Sequence, residues 1–196
     1  MKNFKPIYLT ALLVLSFLLN SQNLFANTSH LNTDKSNSLS QAIAIDVLIG
    51  EDNVSGIRLS YRPHTYTIVD VPYFITLDVY WELSANFWEY GADNQHETNY
   101  ALALSPVFGN VFYHVADKYP LRWEFGIGVS LVDDTRFAGK DIGSHYQFED
   151  RLGLSMAFGD NLQQIASIRY MHYSNGGLNS KNPGMDFLNM AYSFKF

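Results

Sequence analysis

The stretch that decides the fold is residues 121–131, which read LRWEFGIGVSL. Its odd-numbered residues are all apolar, and the even-numbered residues between them are Arg122, Glu124, Gly126, Gly128 and Ser130. An alternation with a period of two residues indicates a β-strand with one apolar and one polar face.

The same alternation recurs along the chain and predicts eight strands. The other seven lie near residues 42–49, 56–62, 74–83, 100–112, 146–158, 163–174 and 186–196. Two all-β folds fit such a set. One is a soluble barrel or sandwich with its apolar faces inside, and the other is a membrane barrel with its apolar faces against lipid.

The polar faces help to choose between these folds, because they carry charged residues of both signs, such as Asp46, Arg58, Glu82 and Arg169. In a small membrane barrel these side chains point inward and pair across a filled lumen. The apolar faces span about ten residues, as tilted membrane strands require. Aromatic residues lie near predicted strand ends, as in interfacial girdles, namely Tyr61, Tyr73, Trp81, Trp88 and Tyr170.

The end of the chain, an alternating strand with a terminal Phe196, resembles the C-terminal signature of bacterial outer-membrane barrels. We therefore predict an all-β, eight-stranded antiparallel transmembrane β-barrel over residues 41–196. With both termini periplasmic, residues 84–99, 132–145 and 175–185 are predicted to be external connections. Strict parity also directs Asp150 outward with no evident partner, unless a bulge shifts the strand.

Composition and the N-terminus indicate the compartment. The chain has no cysteine and a formal net charge of -6, which excludes disulfide scaffolds and thiolate zinc sites and argues against a nucleic-acid partner. Two lysines precede an apolar run at residues 7–19, and Ala26 follows. We predict a signal peptide at residues 1–26, a flexible lead-in at 27–40, and localisation in the outer membrane of a Gram-negative bacterium.

Three residues with hydrolytic chemistry are predicted to share the apolar, outward face of the last two strands. His172 and Ser174 lie on the face of strand seven that also carries Ala166 and Ile168, and Asp186 lies on the matching face of strand eight. A hydroxyl, an imidazole and a carboxylate are the parts of a Ser/His/acid hydrolase. The alternative is that they are ordinary polar residues at headgroup level.

Residues 172–178, HYSNGGL, followed by Asn182-Pro183-Gly184, closely resemble the C-terminal motif of the PagL family of outer-membrane lipid A 3-O-deacylases. Residues 131–136, LVDDTR, and 139–143, GKDIG, are also similar to that family. The resemblance implies that Ser174 is the nucleophile, that His172 is the general base, and that Asp186 orients the histidine where the family usually has Glu.

The resemblance further implies that the Asn182 side chain and the Gly176 backbone N–H form an oxyanion hole, and that Asn175 holds the geometry. The implied substrate is lipid A of lipopolysaccharide in the outer leaflet, which would lose the ester-linked 3-hydroxyacyl chain at position 3. No cofactor is expected. Adjacent Asp133 and Asp134 would point to opposite faces if they lay in a strand, and a solvated role in a loop is expected for them, so no metal site is expected either.

Two alternatives stay open. One is a non-catalytic small barrel with a structural or adhesive role. The other is an outer-membrane phospholipase, a family with a larger barrel, an asparagine as third member and calcium. Outer-membrane lipids are expected to surround the protein in each case, and a homodimer is left open.

Overall fold

Strands make up most of the chain in the computed structural model, which describes residues 41–71, 75–92 and 95–196. The predicted signal peptide at 1–26 and lead-in at 27–40 lie outside the described residues. Within those residues, no helix is long and apolar enough to cross a bilayer.

Eleven strands lie within the described ranges. They are β1 Ala42–Gly50, β2 Val54–Arg62, β3 Thr65–Val71, β4 Ile75–Ala92, β5 Gln95–Val115, β6 Tyr119–Val132, β7 Arg136–Phe137, β8 Lys140–Asp141, β9 Tyr146–Phe158, β10 Gln164–Ser174 and β11 Met185–Lys195. β7 and β8 form a separate two-stranded ladder within the connection from β6 to β9.

The remaining strands form one antiparallel sheet in the order β2-β1-β11-β10-β9-β6-β5-β4-β3, and the pairing of β2 with β4 closes it. β3 continues along β4 below β2, since Tyr61 is opposite Leu83 and Thr65 is opposite Tyr80. β2 and β3 thus act as one barrel strand interrupted at Pro63, which has no N–H to donate. The prediction of an eight-stranded antiparallel barrel is confirmed.

The predicted external loop at residues 84–99 is wrong. β4 and β5 pair in continuous register up to Ala92 and Gln95, so the connection is far shorter. The inward positions here are Ser84, Asn86 and Trp88, all buried. Because the lumen accepts polar side chains, residues 84–92 continue the barrel strand, although their polar residues are typical of a loop. Trp88 is 1% exposed inside the barrel, so its predicted place in an interfacial girdle is also wrong.

The middle of the lumen is filled by paired charges, as the alternation predicts. Glu82 is central, because its Oε1 accepts hydrogen bonds from Arg58 at 2.6 Å and Arg151 at 2.5 Å, while its Oε2 accepts from Arg62 Nε at 2.7 Å. Glu149 is bound by both Arg58 and Arg151. These five side chains are almost completely buried. A second group in the same lumen joins Asp46, Glu124, Arg169 and Asn189.

One end of the lumen is apolar instead. The indole of Trp88 lies 5.2 Å from the ring of Phe187 and 4.9 Å from that of Tyr173. The connection from β6 to β9 contributes Phe137 and Ile142 to the same cluster, and both are buried. The cluster fills this end of the barrel and supports the inner surface of β10 and β11, where Tyr173 and Phe187 originate.

We expect Glu82→Gln to lower the free energy of unfolding by about 3 kcal/mol, because it leaves three buried arginines around a neutral amide. Asp160→Asn is the matched control, since that carboxylate is fully exposed on a turn, and it should change stability by less than about 0.5 kcal/mol. Urea unfolding in lipid bilayers measures both. Equal stability of the two variants would contradict the structural importance of the lumen network.

Candidate active site

The three predicted hydrolytic residues lie on the outer face of the barrel, close to its apolar-filled end. Along β10, Ala166, Ile168 and Tyr170 are exposed outward, and His172 and Ser174 follow on the same face, each half-buried. In the register of β10 with β11, His172 is directly opposite Asp186. The shared face predicted from the alternation is therefore confirmed.

His172 and Asp186 form a direct hydrogen bond, with 2.6 Å between Nδ1 and Oδ1. Their side chains are 32% and 31% exposed. An ionised carboxylate can only accept, so Nδ1 carries the proton and Nε2 is left as a proton acceptor. The aspartate therefore reaches the imidazole although it is one methylene shorter than a glutamate. The Tyr170 hydroxyl donates to the same oxygen at 2.5 Å.

Ser174 lies two residues beyond His172, about 7 Å further along the strand. Between these two described residues, no hydrogen bond joins the hydroxyl to the imidazole. Such contacts are often long without substrate and shorten when substrate binds. The Ser174 side chain nevertheless lies on the same face of β10 as the His172 side chain.

Gly184 lies next to the imidazole, and the sequence reasoning did not identify it as a site residue. A Cβ at this position would lie 2.7 Å from His172 Cε1 and 3.4 Å from Nε2, and the residue has a φ of +74°. Both the space and the backbone conformation therefore require glycine. The Asn182-Pro183-Gly184 motif was the signal that could have identified it.

Asp150 faces outward as parity predicts. β9 pairs with β10 without a register shift, so there is no bulge, and Asp150 is directly opposite His172. The residue that faces Asp150, which was not evident from the sequence, is therefore His172. Two carboxylates flank His172 in adjacent strands, but only Asp186 is hydrogen-bonded to it.

Asn175 organises the connection between β10 and β11. It is fully buried, and its Nδ2 donates to the carbonyl oxygens of Lys181 at 2.7 Å and Ile142 at 3.0 Å. Its Oδ1 accepts from the Gly177 N–H at 3.0 Å. The Asn175 side chain thus bonds both ends of the connection between β10 and β11, and also the connection between β6 and β9. It therefore restrains the backbone beside Ser174.

Two hydrogen-bond donors are available beside Ser174. Asn182 Oδ1 accepts from the Asn175 N–H at 2.8 Å, which orients the amide and leaves Nδ2 to donate. The Gly176 N–H has no acceptor within the described part of the chain. Gly176 has a φ of +64°, and a Cβ there would lie 2.7 Å from the ring of Phe148. Donors of this kind can stabilise an oxyanion.

The segment at residues 139–143 packs against the connection that carries these donors. Asn179 Nδ2 donates to the Gly143 carbonyl at 2.7 Å, and Lys181 Nζ pairs with Asp141 Oδ2 at 2.6 Å. This hydrogen bond from Lys181 holds the pKa of the Asp141 carboxyl below its ordinary value. The two motif regions recognised in the sequence thus form one structural unit.

A metal centre is not formed by the described residues, because no three of their His, Asp or Glu side chains are grouped so as to hold an ion. The hydrolytic chemistry available at this site is that of a serine, a histidine and a carboxylate, with nearby amide donors.

Comparisons with known proteins show the family to which the chain belongs. The family model for lipid A 3-O-deacylase (PagL) matches residues 55–195. The lipid A deacylase PagL of Pseudomonas aeruginosa is 30% identical over 156 residues, covering 78% of this chain and 86% of that protein. The lipid A deacylase PagL of Bordetella bronchiseptica is 33% identical over 122 residues, covering 61% of this chain and 64% of that protein.

A solved structure is also similar. The crystal structure of the outer membrane enzyme PagL superimposes with a TM-score of 0.63 at 26% identity, covering 78% of this chain and 98% of that one. Residues 55–195, which the family model matches, contain the whole candidate site. The chain therefore belongs to the PagL family of lipid A 3-O-deacylases.

Proposed function

We propose that this protein is an outer-membrane lipid A 3-O-deacylase that uses Ser174, His172 and Asp186 as a catalytic triad. The observation that carries the proposal is the 2.6 Å hydrogen bond between His172 and Asp186, beside Ser174, on the outer face of a barrel of this family. Polar groups on an apolar outer face are unfavourable unless they pair. A hydrolytic role explains why the chain places them there.

Ser174 Oγ attacks the carbonyl carbon of the ester at position 3 of lipid A. His172 Nε2 takes the serine proton, while Asp186 holds Nδ1–H and stabilises the imidazolium. The tetrahedral intermediate collapses to an acyl-enzyme when His172 returns the proton to the departing sugar oxygen. Water, deprotonated by His172, then cleaves the acyl-enzyme and releases a 3-hydroxy fatty acid.

The oxyanion of each tetrahedral intermediate is stabilised by Asn182 Nδ2 and the Gly176 N–H. Asn175 supports both donors, because it holds the connection in which they lie. The donors are oriented before the substrate arrives, so no reorganisation is needed as negative charge develops.

The outward placement of the triad suits a substrate that never leaves the membrane. The rest of this wall is apolar, with Ile168, Leu188 and Met190 exposed along the same strands. An acyl chain can lie against this surface while its ester reaches Ser174 at the headgroup boundary. Lipid A of lipopolysaccharide is the substrate this placement suits, and a homodimer stays a prediction.

We expect Ser174→Ala to abolish release of the 3-hydroxyacyl chain, because no nucleophile is left. Mass spectrometry of lipid A after incubation with refolded protein measures the loss of one acyl chain. Wild-type protein should remove it, and the variant should not. Intact lipid A with verifiably folded wild-type protein would favour the non-catalytic barrel instead, and loss of a glycerophospholipid chain would favour the phospholipase.

Asn182→Ala should lower kcat by about 10²–10³-fold, because an oxyanion donor is lost. Asn179→Ala is the matched control, since it also removes a side-chain amide from this connection. Among the described residues, that amide bonds the Gly143 carbonyl and the Lys181 N–H and nothing else. Its rate should fall far less. Equal losses in initial-rate assays would mean that Asn182 acts only by supporting the connection.

Gly184→Ala should lower kcat by between about tenfold and a hundredfold, because the new methyl group displaces the imidazole. Gly177→Ala controls for backbone strain, since Gly177 has a similar φ of +80° but open space around its Cβ. Its activity should stay within a few-fold of wild type. An active Gly184→Ala variant would show that the position of His172 is not critical.

A further inference from the structure

The hydroxyl of Tyr170 holds the carboxylate that bonds His172. We propose that Tyr170 is a positioning residue, which keeps Asp186 in place so that this short acid can orient the imidazole. The inference rests on the proposed function, because it assigns a partner to the acid of the proposed triad.

The geometry places both donors on one oxygen. Tyr170 OH lies 2.5 Å from Asp186 Oδ1, and His172 Nδ1 lies 2.6 Å from the same atom. Tyr170 is two residues before His172 on β10, where its direct neighbour on β11 is Leu188. It therefore reaches Asp186 diagonally, a distance that an aromatic side chain spans.

An aspartate at this position needs such support. Its carboxylate is 31% exposed, so water competes for the oxygen that His172 requires. Glu51 and Lys140 line the same small cleft, but Glu51 Oε2 accepts from Lys140 Nζ at 2.6 Å. Glu51 also approaches the Asp186 carboxylate, whereas Tyr170 and His172 both hydrogen-bond its Oδ1.

The Tyr170 hydroxyl affects the reaction through Asp186. It bonds the acid, so its loss leaves Asp186 free to rotate toward water and leaves the imidazole without a fixed orientation. The rate of proton transfer from Ser174 then falls, whereas the apolar wall that receives the acyl chain is unchanged. Tyr170→Phe isolates this effect, because the ring on that wall is retained.

We expect Tyr170→Phe to lower kcat by about tenfold or more, the effect of losing a hydrogen bond to a charged group, with KM unchanged. Tyr192→Phe is the matched control. Tyr192 is also exposed on the outer face, but its hydroxyl bonds Gln164 at the far end of β11, so both constants should match wild type. An unchanged kcat in Tyr170→Phe, or a change confined to KM, would overturn the proposal.

A double-mutant cycle distinguishes positioning from a merely structural role. If Tyr170 acts through Asp186, Tyr170→Phe has little further effect on kcat in the Asp186→Ala background, measured as single turnovers with excess enzyme. The same fold-loss in both backgrounds would contradict this. Heat-modifiable gel mobility confirms that each variant is folded.

Different results would contradict the role of Tyr170 and the proposed triad. If Ser174→Ala is inactive while Tyr170→Phe keeps the wild-type kcat, only the role of Tyr170 is overturned. If Ser174→Ala keeps activity, the triad itself is overturned, and with it the acid that Tyr170 would position.

Discussion

The pairing of Glu82 with three arginines inside the barrel is the interaction on which the rest of the structure depends. Strands that present apolar residues outward must present every second residue inward, and in this narrow lumen those residues include Arg58, Arg62 and Arg151. Each would be strongly destabilising if buried without an acid. A slip of one residue in any strand would also move these charges to the apolar face. The second lumen group acts in the same way on β10 and β11, because Arg169 bonds Asn189 in the register that sets His172 opposite Asp186.

The apolar end of the lumen has a different effect on the site. Trp88, Tyr173 and Phe187 pack directly behind the segments of β10 and β11 that carry the proposed hydrolytic residues. The connection from β6 to β9 adds Phe137 and Ile142 to this cluster, and its backbone then accepts hydrogen bonds from Asn175 and Asn179. A rigid inner layer therefore supports the donors proposed for the oxyanion. The site is on the outside, but its precision derives from packing on the inside.

A site on a lipid-facing wall meets two opposing demands. The proposed substrate arrives from the membrane, so the surrounding surface must stay apolar, yet the proposed chemistry needs an imidazole and a carboxylate there. Hydrogen bonds among the polar groups reconcile the two, because they satisfy each group locally. Tyr170 combines both properties, since its ring lies on the apolar outer face and its hydroxyl bonds the Asp186 carboxylate.

The alternation of residue types by itself determined that the chain is all-β, the number of barrel strands and the face on which His172, Ser174 and Asp186 lie, because side-chain direction in a strand is a local property. It failed at residues 84–99, where polar inward residues look like a loop until a polar lumen surrounds them. Tertiary structure alone decided that Asp150 flanks His172, that Gly184 abuts the imidazole, and that Tyr170 reaches Asp186. These contacts join residues on different strands and connections, and only the register of the closed barrel brings them together.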